Sequence, residues 1–228
     1  MRRYTAVLLD LDGTLVDSND AHAHAWVETL AQHGIDVAFD RVRGMIGMGG
    51  DRVIEQLTGW PRHGHKARVL QDQCTSIFVD HWLRDVKPID QTRDLVLRLR
   101  HEAYQLVLAS ATHEAALRPL LEIAGIADLL ADLLAAGTQP PKPDESKPDR
   151  EAIDVALSRV AVDRSRVLMI GDTPYDIEAA RAAHVDVLAF TTGGYSAEDL
   201  AGAIAVYRGP SDLLAHWTES PLGDAEAR

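Results

Sequence analysis

Short apolar runs and helical patterns alternate along most of the chain. The apolar runs lie at residues 7–11, 105–110, 132–136, 166–172 and 185–190, with a weaker one at 203–207. The helical patterns between them lie at residues 113–124, 149–160 and 174–183. In the second of these, Ile153, Ala156, Leu157 and Val160 recur at the spacing of one helix face. Strands that alternate with helices predict βαβ units, and therefore an α/β fold whose parallel sheet is covered on both faces.

The stretch from about residue 17 to residue 87 breaks this rhythm. It carries helical patterns at residues 22–33 and 65–83, with no convincing strand between them. We therefore expect a helical cap over residues 17–87, inserted into a core domain that is formed by residues 1–16 and 88–218. The polar residues 219–228 are expected to be frayed.

Composition and charge disfavour several classes of protein. The chain has 228 residues, and 35 acidic against 23 basic residues give a formal charge of −12, which disfavours a nucleic-acid-binding surface. No apolar stretch approaches the roughly 20 residues that span a bilayer, so no membrane association is expected. Cys74 is the single cysteine, so no internal disulfide can form, and a cytoplasmic protein is expected. The sequence does not distinguish a monomer from a homodimer.

Polar side chains follow the predicted strands at the points where the strands end. Asp10 and Asp12 end the first strand, Ser110 ends the second, and Asp172 follows the run at 166–172. Ligands of an open parallel sheet bind beyond the carboxyl ends of its strands, so these side chains should share one site. Clustered carboxylates are typical ligands of Mg²⁺ in the presence of a substrate phosphate, and a carboxylate can also act as a nucleophile.

At these positions the sequence resembles the haloacid dehalogenase-like hydrolases. The family's Asp-x-Asp-Gly-Thr motif is matched at residues 10–14, its strand-end hydroxyl by Ser110, its lysine by Lys147 and its Gly-Asp-x-x-x-Asp motif at residues 171–176. Order and spacing agree through roughly residues 5–190, with a helical insert where the family places its cap. The nearest branch contains phosphoglycolate phosphatases and β-phosphoglucomutases. The sequence KPD occurs twice, and we prefer Lys147 to Lys142 because a predicted helix starts just after it.

The resemblance implies a Rossmann-like core and a division of roles at the strand ends. Asp10 would attack phosphorus, while Asp12 would protonate the leaving oxygen and later activate water. Mg²⁺ would be held by Asp10, by the backbone carbonyl of Asp12 and by Asp172, with Asp176 as a ligand or close neighbour. Asp176 could instead be an ordinary acid in the first turn of a helix.

The phosphoryl group would be held by Ser110, its neighbour Ala111 and Lys147, and Thr14 would orient Asp12. Ser110 could alternatively serve only as a helix cap. The presence of Asp12 separates this chain from family members that cleave carbon–halogen bonds or phosphonates, which lack this second aspartate.

Four cap residues are candidates for contact with the substrate or with the catalytic acid. His22 matches a histidine that reaches back toward the acid/base aspartate in relatives, although it could be a helix-surface residue. The glycine-rich residues 44–52 cannot form a comfortable helix interior, and Gly47 is expected in a loop that covers the substrate. Arg43 and Arg52 are candidates for binding a substrate anion, or else are solvated at a flexible turn.

The favoured function is Mg²⁺-dependent hydrolysis of a small phosphorylated metabolite through an aspartyl phosphate. A β-phosphoglucomutase-like activity is the first alternative, because it uses the same core residues. A non-catalytic binding protein on the same fold is a further alternative, which the loss of Asp10, Asp12, Lys147 or Asp172 would have favoured. All four residues are present.

Overall fold

The computed structural model of the protein describes residues 2–110, 112–130 and 146–223. Its strands are β1 (Ala6–Leu9), β2 (Val16–Asp17), β3 (Lys87–Pro88), β4 (Gln105–Leu108), β5 (Val167–Gly171), β6 (Asp186–Phe190) and β7 (Ala205–Tyr207). Its α-helices are α1 (Asn19–Gln32), α2 (Phe39–Arg43), α3 (Gly50–Thr58), α4 (His65–Ile77), α5 (Thr92–His101), α6 (Glu114–Ile123), α7 (Arg150–Leu157), α8 (Pro174–Ala182) and α9 (Pro210–Ala215).

Five of these strands form one parallel sheet in the described part of the chain, in the order β4-β1-β5-β6-β7. β1 lies between β4 and β5, with Leu8 in register with Val107 of β4 and with Met169 of β5. The predicted α/β fold with a parallel sheet is therefore confirmed, including the weak run that forms the edge strand β7. The predicted strand at 132–136 lies outside the described residues.

Helices cover both faces of the sheet because apolar side chains of each strand alternate between the faces. Val7 and Leu9 of β1 belong to the core under α5, α6 and α9, whereas Ala6 and Leu8 belong to the core under α7 and α8. All four side chains are fully buried. Burial on both sides explains why β1 reads as a continuous apolar run rather than as an alternating one.

The segment that contains helices α1 to α4 is joined to the rest of the protein at one place, where its two ends lie side by side. Val16 pairs with Pro88 and Asp17 with Lys87, so β2 and β3 form a small antiparallel ribbon at the two ends of this helical segment. The helix expected over 65–83 is shorter, because α4 ends at Ile77 and is followed by a π-helical turn (Phe78–Trp82) and a 3₁₀ turn (Leu83–Asp85).

The end of the described chain is packed rather than frayed. Leu222 is buried, and its carbonyl accepts a hydrogen bond from the Tyr104 hydroxyl at 2.6 Å. Ser220 is buried as well. The expectation of a frayed tail is therefore wrong for residues 219–223, because an apolar side chain anchors them to the core. No helix among the described residues is both long enough and apolar enough to cross a membrane.

Candidate active site

Three buried carboxylates meet beyond the carboxyl ends of β1 and β5. Asp10 directly follows β1, Asp172 directly follows β5, and Asp176 lies in the first turn of α8. One carboxylate oxygen of each residue lies within 4.8 Å of the other two. The two strands are neighbours in a parallel sheet, so their ends meet at the same edge. We call these three residues the carboxylate cluster.

Lys147 supplies the positive charge beside the cluster. Its buried ammonium lies 2.7 Å from Asp176 Oδ1 and also contacts Asp10 Oδ1. Burial by itself would lower the pKa of Lys147, but the two carboxylates raise it overall, so the side chain stays protonated. Burial raises the pKa of Asp10 to about 7 although Lys147 opposes the shift. The alternative lysine, Lys142, lies outside the described residues.

Asp172 is held by two side chains that follow β1. Thr14 Oγ1 donates a hydrogen bond to Asp172 Oδ1 at 2.9 Å, and Asn19 Nδ2 donates to Oδ2 at 3.0 Å. Thr14 also donates to Asp10 Oδ2 at 3.2 Å. Burial, followed by repulsion from Asp10, raises the pKa of Asp172 well above its usual range. Gly13 has a φ of 75°, and a Cβ there would lie 2.1 Å from Asp172 Oδ2, so this close approach requires glycine.

Asp12 accepts hydrogen bonds from three side chains outside the carboxylate cluster. Ser18 Oγ donates to Asp12 Oδ1 at 2.5 Å, His22 Nε2 lies 2.9 Å from the same oxygen, and the Thr112 hydroxyl donates to Oδ2. Burial alone would raise the pKa of Asp12, but His22 and the two hydroxyls lower it to about 2. The structure corrects the expectation that Thr14 orients Asp12, because the Thr14 hydroxyl is turned to the cluster instead.

Asp176 both caps a helix and belongs to the site. Its Oδ2 accepts hydrogen bonds from the backbone N–H of Thr173 at 3.0 Å and of Asp172 at 3.2 Å. Thr173 and Asp176 form a capping box at the start of α8, with Pro174 as its first residue. The other oxygen of Asp176 faces Lys147. Asp176 is therefore an acid in the first turn of α8 and a neighbour of Lys147, and its role beside a bound ion stays a prediction.

His22 extends from the helical segment to the core. Its ring stacks on Phe78 of the π-helical turn, with ring centres 3.9 Å apart and planes 5° apart. His24 lies on another side of α1, where it stacks on Trp82 with ring centres 4.3 Å apart. The expectation that His22 reaches Asp12 matches this geometry, and the alternative of a plain helix-surface residue does not.

A cavity of about 120 Å³ lies between the helical segment and the edge of the sheet. Asp10, Asp12 and Lys147 line it from the core side. Ser110, expected at the phosphoryl group, and Gly47, expected in the covering loop, line it too. The structure thus brings the proposed nucleophile, acid, hydroxyl and lysine to one small volume.

Arg43 and Arg52 are absent from the described lining of this cavity. Arg43 Nε lies 2.6 Å from Asp20 Oδ1, and its Nη2 donates to the carbonyl of Gly193 at 2.7 Å. The Arg52 guanidinium contacts Asp149. The structure corrects the expectation that these arginines bind a substrate anion, because each guanidinium is turned to a carboxylate outside the cavity.

Ser18 and Thr112 are site residues that the sequence reasoning overlooked. Ser18 lies four residues before His22, a spacing that places both on one helix face and could have revealed the serine. Thr112 Oγ1 lies 2.7 Å from Ser110 Oγ, so the two hydroxyls act as a pair. Ala111, expected to help hold the phosphoryl group, lies outside the described residues.

Comparisons with known proteins agree with these features. The haloacid dehalogenase-like hydrolase model matches residues 7–190. A phosphoglycolate phosphatase of Pseudomonas putida is 30% identical over 194 residues, which cover 82% of this chain and 69% of the relative. An N-acetylmuramic acid 6-phosphate phosphatase of Pseudomonas aeruginosa is 28% identical over 225 residues, which cover 97% of this chain and 91% of the relative.

A solved structure shares the fold of this chain. The crystal structure of a hydrolase from Pseudomonas syringae aligns with a TM-score of 0.81 at 25% identity, covering 94% of this chain and 98% of that one. The resemblance inferred from the motifs is therefore confirmed. The chain belongs to the haloacid dehalogenase-like hydrolase family.

Proposed function

We propose that the protein is a Mg²⁺-dependent phosphatase that hydrolyses a small phosphomonoester through an aspartyl phosphate on Asp10. The observation that carries the proposal is that Asp10 and Asp12 line one cavity but have separate partners. Asp10 lies beside Lys147 in the carboxylate cluster, whereas His22 and two hydroxyls hold Asp12. Surroundings that raise the pKa of Asp10 to about 7 and lower that of Asp12 to about 2 suit two different chemical roles.

The carboxylate cluster fits a divalent cation. Among the described residues, the Lys147 ammonium contacts two of its three carboxylates, Asp10 and Asp176, and burial, with repulsion from neighbouring carboxylates, raises the pKa of both Asp10 and Asp172. Mg²⁺ prefers such carboxylate oxygens together with a phosphate. Asp10 and Asp172 would hold the ion with the backbone carbonyl of Asp12, and Asp176 would lie beside them. The bound ion would offset the charge of the transferring phosphoryl oxygens.

Asp10 forms the covalent bond in the first half of the reaction. One carboxylate oxygen attacks phosphorus, and the bond between phosphorus and the alcohol oxygen breaks as the new one forms. Lys147 neutralises charge on the phosphoryl oxygens, and the hydroxyl of Ser110 donates a hydrogen bond to them. Both groups line the cavity, so neither has to enter it from outside.

Asp12 transfers protons in both halves. A proton shared between Asp12 and His22 across their 2.9 Å contact passes through Asp12 to the departing alkoxide. In the second half, Asp12 takes a proton from a water molecule whose oxygen attacks phosphorus. The bond between phosphorus and Asp10 then breaks, inorganic phosphate leaves, and the pair of His22 and Asp12 again holds one proton.

Residues 17–87 act as a cap that excludes bulk water during these steps. The backbone N–H of Gly49 donates to the Lys147 carbonyl at 3.1 Å, and the Tyr175 hydroxyl donates to the Gly44 carbonyl at 2.8 Å. These contacts close the loop at 44–52 over the cavity. A closed site protects the aspartyl phosphate and strengthens the electrostatic interactions around it.

A panel of phosphomonoesters in the presence of Mg²⁺, assayed for released phosphate, tests the proposal. We expect one or a few compounds to be hydrolysed, with loss of turnover in Asp10→Asn and in excess EDTA. Asp36→Asn, an exposed aspartate on the cap, is the matched control and should keep wild-type turnover.

Two results would contradict the proposal. Unchanged turnover in Asp10→Asn would show that Asp10 is not the nucleophile. Full turnover without metal would show that the reaction needs no cation. Conversion of β-glucose 1-phosphate to glucose 6-phosphate without net release of phosphate would replace the phosphatase by the mutase alternative.

A further inference from the structure

We propose that the alcohol released by this enzyme is uncharged and partly apolar, so that phosphoesters carrying a carboxylate are poor substrates. This inference rests on the proposed phosphatase function, because it concerns the part of the cavity beyond the phosphoryl group. It follows from two observations: which side chains line the cavity on the cap side, and which groups the nearby cationic side chains contact.

The cap side of the cavity is mainly apolar. Trp26 of α1, Met48 of the covering loop, and Cys74 and Phe78 at the end of α4 all line it. Cys74 is buried, and burial raises the pKa of its thiol to about 12, so it contributes no charge. Side chains of this kind favour contact with carbon atoms of a ligand rather than with ionised groups.

On this side His22 faces Asp12, and the polar side chains that α4 contributes are uncharged. Gln71 and Thr75 line the cavity from α4. The Nε2 atom of Gln71 lies close to Gly50. A Cβ atom added to this glycine would be 3.1 Å from that nitrogen. His113 lines the cavity too, but its Nδ1 accepts the backbone N–H of Ala115 and caps α6. An amide and a hydroxyl can bind a hydroxyl or carbonyl of the leaving group, but they cannot neutralise a carboxylate.

In the described part of the chain, the lysine and the two arginines nearest the cavity are directed at protein carboxylates. Lys147 is the only lysine or arginine among the described lining residues, and it already faces the carboxylate cluster. Arg43 faces Asp20, and Arg52 contacts Asp149. A carboxylate on the leaving group would therefore enter a partly apolar site without a partner, which is strongly unfavourable.

This chemistry separates the chain from the relatives that it resembles. The phosphoglycolate phosphatase relative is named for a substrate whose leaving group, glycolate, carries a carboxylate. The muramic acid derivative in the name of the second relative also carries one. With 30% and 28% identity, the family chemistry can be kept while the cap side of the cavity differs.

Pairs of esters in which a carboxylate is replaced by a neutral group of similar size test the inference. Phosphoglycolate is compared with phosphoglycolamide, and 3-phosphoglycerate with glycerol 3-phosphate, by kcat/KM in the presence of Mg²⁺. We expect the neutral member of each pair to be favoured by about tenfold or more, since an unpaired buried charge is penalised at least as strongly as an unpaired polar group. Equal values within threefold, or preference for the charged members, would overturn the inference and leave the phosphatase proposal intact.

A binding measurement keeps the test independent of turnover. Calorimetric Kd values of the same pairs for Asp10→Asn protein with Mg²⁺ should show the same order, with the neutral member bound tighter. If no ester is hydrolysed by the wild-type protein, the phosphatase proposal fails, and these Kd values alone decide the charge preference of the cavity.

A substituted cation should reverse the preference. Gln71→Lys places an ammonium in the cap side of the cavity, so the ratio of charged to neutral kcat/KM should rise by about tenfold. Gln73→Lys makes the same change on the same helix, where the glutamine contacts Gln32 and His33 and does not line the cavity, so its ratio should stay at the wild-type value. An equal rise in both variants would mean a general charge effect and would overturn the inference.

Discussion

Phe78 stacks face to face on His22, with ring centres 3.9 Å apart. His22 in turn lies 2.9 Å from Asp12 Oδ1, so a side chain at the end of α4 fixes the orientation of a ring that contacts the proposed acid. The π-helical turn that starts at Phe78 breaks the regular helix at this point. Such turns interrupt α-helices often at functional sites, and here the interruption lies beside the cavity.

Replacing His22 should impair proton transfer more than substrate binding. In His22→Gln we expect kcat to fall by about a hundredfold with a smaller change in KM, because proton transfer by a positioned group contributes roughly that much. Steady-state kinetics checks this by separating the change in kcat from the change in KM. His24→Gln on the same helix is the control and should keep both kcat and KM. A loss of kcat in both variants alike would point to damage of α1 rather than to proton transfer.

The metal-free protein should lose stability as the pH rises from about 4, the usual pKa of an aspartate, to about 7, the pKa of buried Asp10. Burial raises the pKa of Asp10 to about 7, so over this window the folded state binds more protons than the unfolded state, and the free energy of unfolding falls with rising pH. Asp172, whose pKa is also raised, acts in the same direction. Thermal unfolding in EDTA measures the slope, which Asp10→Asn should flatten and Asp36→Asn should not. A stability that rises across this window would contradict the raised pKa values of the buried carboxylates in the cluster.

Mg²⁺ should stabilise the protein more at pH 8 than at pH 6. The carboxylate ligands must lose their protons to bind the ion, so the shift in Tm caused by millimolar Mg²⁺ should grow with pH. Asp172→Asn should remove most of the shift, whereas Asp90→Asn, an exposed aspartate next to β3, should keep it. A shift that survives in Asp172→Asn would place the ion elsewhere.

Asp149 should help hold the cap closed. It contacts Arg52 and lies 3.6 Å from Arg62 Nη1, so one carboxylate of the core meets two arginines of the cap. In Asp149→Asn we expect KM to rise by about two- to fivefold, in line with partly exposed ion pairs, and to respond less to salt. The Asp149 side chain makes no capping hydrogen bond at the start of α7, so this helix should persist. Asp154→Asn, on the same helix but paired with Arg150, is the control, and an identical rise in KM there would contradict a role in closure.

The sequence could predict those site residues that belong to local motifs at the ends of strands and helices. Asp10 and Asp12 follow an apolar strand, and Asp172 follows another, so the rule that parallel strands end at one edge places them together. His22 could be assigned because the start of α1 resembles a known cap helix. Fold class followed from the same alternation of strands and helices.

The errors concern contacts between segments that are far apart in sequence. Arg43 and Arg52 looked available for a substrate anion, because nothing in the sequence shows that Asp20 and Asp149 lie next to their guanidinium groups. Thr14 lies two residues after Asp12, but the turn at Gly13 carries its hydroxyl to the cluster. The direction in which each of these side chains points depends on backbone geometry and on tertiary packing.

The pairing of β2 with β3 also bears on how such enzymes diversify. The two ends of the cap lie side by side in the core domain, so the core does not have to bring distant chain ends together around it. The length of the cap can therefore change with little entropic penalty to the core. Most of the cap could therefore be exchanged for another without rebuilding the sheet. The exchange has a limit inside α1, because Asn19 and His22 already touch carboxylates of the core. The graft point that preserves the chemistry thus lies after His22, one turn into the helix rather than at the ribbon.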